Sequence, residues 1–307
     1  MSERNKNPKD LEEGSEGWKK LCKEVREACE EYGYFQVVYE KIPMELHDEM
    51  FVGLKDLFDL PLETKQKNKS IKPFYGYIGR SLPLYESLGI EDSHNLDQVQ
   101  AFTDLMWPNK GNPAFCQTLN QMSKMMQELE QIIRKMVFES YGAEKHCDSN
   151  IEESEVIFRV MKYKTTHSNE DSAVGLGAHS DNNILTILYQ DVEGLEILSR
   201  EGEWFPLRSQ QGVFTVFVGQ ALKAWSNGRL HAARHQVMMR GSKERYSYAL
   251  FAEPKMEAVV EVPMELVDKD HPLLFRPFQH KDFLRFFYSN RGADNSLEDF
   301  AGIIKGE

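Results

Sequence analysis

The amino-acid sequence predicts a mainly β fold with helices: a double-stranded β-helix, or jelly-roll, core behind an N-terminal helical layer. Three observations point there. The first half of the chain is written in helical periodicity, and after Asp148 the texture changes to short apolar segments separated by Gly, Asn and Asp. At 307 residues, 41% of them hydrophobic, the chain can bury one large core with a flanking layer of helices and needs no disulfides to do so.

In the first half, Trp18, Leu21, Cys22, Val25, Ala28, Cys29 and Tyr32 recur every three or four residues, which makes one apolar helix face, and Gly33 ends it. The run Tyr34-Phe35-Gln36-Val37-Val38-Tyr39 reads as a short strand, and Pro43 opens a second helix to about Leu60. Residues 61–114 carry Gly76, Gly79, Gly89, Gly111 and several prolines, and read as a long, partly irregular crossing segment. A third helix is expected from about Cys116 to Tyr141, on the stripe Leu119, Met122, Met126, Leu129, Ile133, Met136 and Val137. Its methionines suit a core stripe better than an adaptable binding surface.

The second half supplies the strands VIFRVMKYK, NILTILYQ, GLEILS, EWFPLR, GVFTVFVG, RHQVMMRG, RYSYALFAEP and EAVVEVP. Short strands at this spacing fit a double-sheet jelly roll with the helices packed on one sheet, not a parallel α/β sheet. A helical pattern from Asp282 to about Ile304 is expected to close over the mouth of the barrel. The expected divisions are an N-terminal helical region (1–104), a scaffold helix (105–149), the jelly-roll core (150–260) and a C-terminal segment covering the active site (261–307).

A net charge of −12 and a pI near 5.3 argue against nucleic acid or an anionic membrane as the partner, because an acidic surface repels both. The expected partner is a small molecule, and any anionic ligand must be held by a few placed cations. Cys22, Cys29, Cys116 and Cys147 are too scattered for a disulfide framework or a zinc site and fit a reducing compartment. No apolar run is long enough for a membrane span, and the polar, mixed-charge first twenty residues match no targeting peptide. A cytoplasmic monomer is expected.

Three features in the strand-rich half carry chemistry. His179-Ser180-Asp181 lies between a Gly-rich turn (Gly175, Gly177) and the strand NILTILYQ; on an extended chain residues 179 and 181 face the same side. His235, after the turn Ser226-Asn227-Gly228, completes two histidines and one carboxylate, the facial triad that suits iron and leaves metal positions open. Structural zinc fits less well, since it prefers four protein ligands. Arg245-Tyr246-Ser247 then offers a planar guanidinium fork and a hydroxyl on one strand face for a carboxylate, with Tyr163 as a third hydrogen-bonding group. Either short motif alone is common; their combination in one β-rich stretch is specific. A zinc hydrolase would leave Arg245 and Ser247 without a role.

The runs HSDNNILTILYQDVEGLEIL, AWSNGRLHAARHQV, RYSYALFAEP and PMELVDKDHPLLFRPF are similar to those of the plant Fe(II)/2-oxoglutarate-dependent dioxygenases. The resemblance is strongest to the branch around the glucosinolate side-chain dioxygenases and deoxypodophyllotoxin synthase. VREACEEYGYFQVVYEKIP, FDLPLETK, PLYESLGI and FTDLMWP extend it through the N-terminal half. It implies Fe(II) at His179, Asp181 and His235, 2-oxoglutarate at Arg245 and Ser247 with help from Tyr163, and a substrate pocket lined by Phe158, Phe251 and Glu253. The implied reaction uses O2 to convert 2-oxoglutarate to succinate and CO2 while hydroxylating, desaturating, cyclising or demethylating a small plant specialised metabolite. A plant-hormone oxidase and a catalytically silent member that binds a small molecule or partner are the alternatives.

The chain departs from that family at Met161, where asparagine is common, at Gln220, where aspartate is usual, and at Gln236, where arginine is usual. Joint loss of the acid and the base suggests that residues 220 and 236 are partners across adjacent strands. Polar residues 1–17 stand where relatives have an apolar strand of the type Pro-x-Ile-Asp, so either a sheet edge is left open or another segment covers it.

Overall fold

The computed structural model describes residues 11–79, 82–165, 172–290 and 295–303. Its first helix, α1 (Glu16–Glu31), begins where the Ser15 side chain accepts the Trp18 N–H at 3.0 Å, and it buries Trp18, Leu21, Cys22, Val25, Ala28 and Cys29. Gly33 then turns the chain at φ +74°, and a Cβ there would lie 2.3 Å from the His231 carbonyl oxygen, so both the dihedral and the close approach require glycine. Strand β1 (Tyr34–Val38) and helices α2 (Met44–Phe58) and α3 (Leu62–Lys65) follow.

Residues 61–114 are more regular than their glycines suggest: they hold β2 (Tyr85–Glu91) and α4 (Leu96–Met106). Gly89 sits inside β2 because a Cβ there would stand 2.1 Å from the Tyr75 carbonyl oxygen; it marks a close backbone approach, not a loop. Helix α5 (Pro113–Ser140) starts with proline where the missing N–H is not needed, and Asn112 caps it through Phe115 N–H. The short α6 (Cys147–Glu152) completes the helical layer. All four cysteines are buried and free.

The strands are β3 (Ser154–Tyr163), β4 (Ser172–His179), β5 (Leu185–Gln190), β6 (Leu195–Leu198), β7 (Trp204–Pro206), β8 (Val213–Val218), β9 (His235–Arg240), β10 (Arg245–Pro254), β11 (Val259–Val260) and β12 (Phe278–Gln279). They form a large antiparallel sheet in the order β1-β8-β5-β10-β3-β2, a smaller one in the order β4-β9-β6-β7, and the pair β11-β12. Met161, Tyr163, Phe217 and Ala249 of the large sheet meet Leu195, Ile197, Val237 and Met239 of the small sheet in one buried cluster. Val156, Phe158, Val160, Tyr248 and Leu250, on the other face, belong to the larger core shared with the helices. Two facing sheets with helices packed behind one of them give the expected jelly roll and helical layer.

Within that frame several expectations are corrected. The Gly175–Gly177 stretch is not a turn but part of β4, an edge strand whose register against β9 shifts between Val174 and Leu176 and again before His179. Glycine is needed at 175 because a Cβ would lie 2.8 Å from the Tyr163 ring. EAVVEVP shortens to the two residues of β11. The C-terminal pattern resolves into α8 (His280–Ser289) and α9 (Ser296–Ala301), and Ile304 lies outside the described residues. No strand precedes α1 within residues 11–15, while residues 1–10 lie outside the description. No helix among the described residues is long and apolar enough to cross a membrane.

Helix α7 (Gln220–Trp225) plugs one end of the sandwich, with Trp225 stacked on Phe138 of α5 at a centroid distance of 3.9 Å. The helical layer also buries His47, whose Nδ1 is hydrogen-bonded to the Tyr248 hydroxyl at 2.5 Å; burial pulls its pKa down to about 4. The unfolded chain therefore binds a proton at His47 that the folded chain refuses between about pH 6.5 and 4. Stability should fall as pH drops through that window, by on the order of 1–3 kcal/mol from this group. Urea midpoints measured across the window should slope less steeply in His47→Gln. In the same assay Gly89→Ala should cost about 2 kcal/mol or more through backbone overlap, whereas Gly177→Ala, whose Cβ would meet nothing within 4 Å, should leave the midpoint nearly unchanged.

Candidate metal centre and anion pocket

Strand pairing brings the two imidazoles together. His179 ends β4 directly opposite His235, the first residue of β9, and their ring centroids are 4.4 Å apart. Asp181 lies just beyond β4, so the same-side placement expected of His179 and Asp181 is reached at a strand end, not along a continuous strand. Asp181 Oδ1 stands 3.6 Å from His179 Nε2 and 3.8 Å from His235 Nε2. Among the described residues this is the one cluster of three or more His, Cys, Asp or Glu side chains so arranged, with a ligand atom from each within 4.8 Å of the others.

The tautomers follow from the outer contacts. His179 Nδ1 lies 2.8 Å from the Gly177 carbonyl and His235 Nδ1 lies 3.2 Å from the Ala233 carbonyl. A carbonyl oxygen only accepts, so each Nδ1 carries a proton and each Nε2, the nitrogen turned toward Asp181, is the one placed to ligate a metal. Burial, and then His179 beside it, pull the pKa of His235 down to about 4, which keeps that imidazole neutral; its ring stacks on Phe217 at 4.4 Å. Thr186 Oγ1 donates to Asp181 Oδ2 at 2.6 Å and accepts from Asn183 Nδ2 at 2.8 Å, leaving Oδ1 for the shared space. Two imidazoles and one oriented carboxylate suit a divalent first-row metal with open positions.

On the facing large sheet, the first residue of β10 is a buried cation. Arg245 is fully buried; its Nη1 donates to Ser247 Oγ at 3.1 Å, its Nη2 to Gln190 Oε1 at 2.6 Å and its Nε to the Val192 carbonyl at 3.2 Å. Its guanidinium carbon lies 4.7 Å from the centroid of the Tyr163 ring. No carboxylate of the described residues is within ion-pairing distance of it. Gln190 Nε2 is buried without an acceptor. Asp191 acts on this guanidinium only from beyond ion-pairing distance, so the buried cation, an orphaned amide donor and a serine hydroxyl together suit a bound carboxylate. Burial raises the Tyr163 phenol well above its ordinary range, so it remains a donor; its hydroxyl interacts with the Arg245 side chain and lies 4.0 Å from Met161 Sδ. Gln190 did not stand out in the sequence. Its signal is the pairing of NILTILYQ with RYSYALFAEP, which puts it opposite Ser247.

The residues expected around a substrate divide. Phe251 lies on the metal face, across from Thr186, and Glu253 follows on that face, accepting from the Tyr75 hydroxyl at 2.5 Å. Phe158 does not join them: it is fully buried on the opposite face of β3, stacked on Tyr248 at 5.8 Å within the helix-side core. Side chains alternate along a strand, so Ile157 and Arg159 are the residues of β3 that face the site. Gln220 and Gln236 are not partners either. Gln220 Nε2 donates to Asn182 Oδ1 at 3.2 Å from the start of α7, and Gln236 Nε2 donates to Glu196 Oε2 at 2.9 Å across β9 and β6. Support for His235 comes from a backbone carbonyl and a stacked ring, which neither glutamine touches.

Comparison with known proteins gives this geometry its context. Residues 156–254 match the family model described as the 2OG-Fe(II) oxygenase superfamily, and residues 8–114 match the non-haem dioxygenase N-terminal region named for morphine synthesis. The chain is 40% identical over 300 residues to the Arabidopsis thaliana protein named "Probable 2-oxoglutarate-dependent dioxygenase AOP1.2", covering 95% of this chain and 93% of that one. The crystal structure of a rice dioxygenase for auxin oxidation superposes with a TM-score of 0.82 at 32% identity, over 94% of this chain and 96% of that one. The 2-oxoglutarate complex of an Arabidopsis thaliana dioxygenase for auxin oxidation gives a TM-score of 0.78 at 31% identity, over 85% and 97%. With both halves matched and near-full-length relatives at this identity, the chain belongs to the 2OG-Fe(II) oxygenase superfamily and is a dioxygenase that uses Fe(II) and 2-oxoglutarate.

Proposed function

We propose that His179, Asp181 and His235 hold the iron, that Arg245 and Ser247 grip the distal carboxylate of 2-oxoglutarate with Tyr163 beside them, and that Phe251 and Glu253 border the substrate. The observation that carries this reading is the pairing of a His-Asp-His cluster with a buried guanidinium that has no described carboxylate within ion-pairing distance. The chemistry supplied by the bound iron and co-substrate is O2-dependent conversion of 2-oxoglutarate to succinate and CO2, coupled to oxidation of a substrate C–H bond. The protein's own groups bind, orient and exclude water. Thr186 turns the Asp181 carboxylate, two backbone carbonyls fix the imidazole tautomers, and Arg245 sets the direction in which a dicarboxylate lies.

The substrate is a small plant metabolite, and the enzyme acts in the cytosol as a monomer. The division of the chain into a helical region (1–104), a scaffold helix (105–149), a catalytic core (150–260) and a covering segment (261–307) fits this role. Its last part gains support at the site's edge, where Tyr288 of α8 packs on Phe74 at 4.6 Å and His280 Nε2 lies 3.9 Å from Glu253. Oxidation of a plant hormone is the second reading, favoured by the similarity to the rice auxin-oxidation dioxygenase. A silent, ligand-binding role is disfavoured by the retention of all five metal and anion residues in one connected geometry.

The test is succinate release from 2-oxoglutarate by the Fe(II)-loaded protein, with and without fractionated plant metabolite extract. Stimulation by a fraction in the wild type and none in Asp181→Ala is the expected result; iron binding without succinate under any fraction would move the reading to a silent binder. Thr186→Val removes the hydroxyl on Asp181 and should weaken Fe(II) affinity by about tenfold. An Fe(II) titration showing unchanged affinity would refute that orienting role.

A further inference from the structure

The cavity face of β3 carries a second buried cation that neither the metal cluster nor the co-substrate pocket uses. Arg159 is 8% exposed, and its Nη1 donates to Ser87 Oγ at 2.8 Å and, at 3.5 Å, to the Gly76 carbonyl. No carboxylate of the described residues is within ion-pairing distance of it. The acids nearest along the face are engaged elsewhere: Glu155 pairs with Lys72 at 2.7 Å, and Glu253 accepts from Tyr75. A guanidinium withdrawn from water and left with neutral partners is costly unless an anion joins it.

Its surroundings make room for one. The strand residues on either side of Arg159 are Gly89 of β2 and Ala249 of β10, with Leu188 of β5 next beyond Ala249. Ala249 leaves the floor of the site low on the β10 side of Arg159, while on the other side the Tyr75 carbonyl stands against Gly89 and closes the space. The charge of Arg159 acts on both the Tyr163 and the Tyr288 hydroxyls. Along β3 it sits two residues from Met161, which pairs with Ser247, and two residues from Ile157, which pairs with Phe251. From its strand to β5, which carries Thr186, is two strand spacings, about 10 Å.

We propose that Arg159 anchors the substrate, and that the substrate is therefore a small carboxylic acid whose carboxylate meets the guanidinium while its oxidised carbon reaches the His179–Asp181–His235 cluster. The inference rests on the dioxygenase reading above. Phe251 and Leu188, on the same face of the large sheet as Arg159, offer the apolar surface against which an acid carrying a ring would lie. A planar carboxylate matches the two-pronged guanidinium better than it would match a lysine.

The experiment is an anaerobic titration of the Fe(II)–2-oxoglutarate protein, read by its visible charge-transfer band, with phenylacetate, indole-3-acetate and benzoate beside their neutral amides. In the wild type at least one acid should bind about tenfold or more tighter than its amide. Arg159→Gln should erase that preference, and Arg159→Lys should retain part of it, because the charge stays and the fork is lost. The proposal is overturned if acids bind no better than amides across the panel, or if Arg159→Gln keeps the preference. A band that forms in the wild type but not in Arg159→Gln would instead assign Arg159 to the co-substrate and would equally overturn it. Absence of the band in the wild type would sink the dioxygenase reading itself, an outcome distinct from the others.

Discussion

The alternation of side chains along β10 is the constraint on which the rest of the molecule depends. This strand is paired along its length with β3 and, over Ser247 to Ala252, with β5. It cannot slip by one residue without exchanging every inward for every outward side chain. Tyr246, Tyr248, Leu250 and Ala252 are committed to the helix-side core, so Arg245, Ser247, Ala249, Phe251 and Glu253 must face the space between the sheets. One apolar periodicity thus sets out a deep cation, a hydroxyl, a small residue, an aromatic and an acid in a line.

The second sheet meets that line with the metal cluster, and it does so through irregularity. Regular pairing would not bring the end of β4 level with the start of β9; two register shifts do, and the chain then leaves β4 so that Asp181 turns under both imidazoles. Polar groups at the centre are held by partners that cannot titrate, namely backbone carbonyls and a threonine hydroxyl. The side chains of the donor set are therefore oriented before any metal arrives.

Much of this was legible in the residues. Helices α1 and α5 announce themselves through unbroken apolar stripes, and the principal strands through alternation between turn residues, because both signals are local. The metal and anion residues stood out as chemical types with no structural reason to recur together. What was hidden depends on long-range contact. Gly89 and Gly175 look like loop residues, yet each is a strand glycine required by a neighbour distant in sequence, the Tyr75 carbonyl and the Tyr163 ring. Phe158 was placed in the pocket by resemblance, and strand parity reverses that. The partners of Gln220 and Gln236, Asn182 and Glu196, carry no mark in the sequence.

The two faces of β3 carry a further meaning. Val156, Phe158 and Val160 hold the protein together, while Ile157, Arg159 and Met161, interleaved with them, face the chemistry. Adjacent residues of β3 therefore answer to different demands, one set by the helix-side core and the other by the space between the sheets. Family-wide variability along this strand should be read in steps of two.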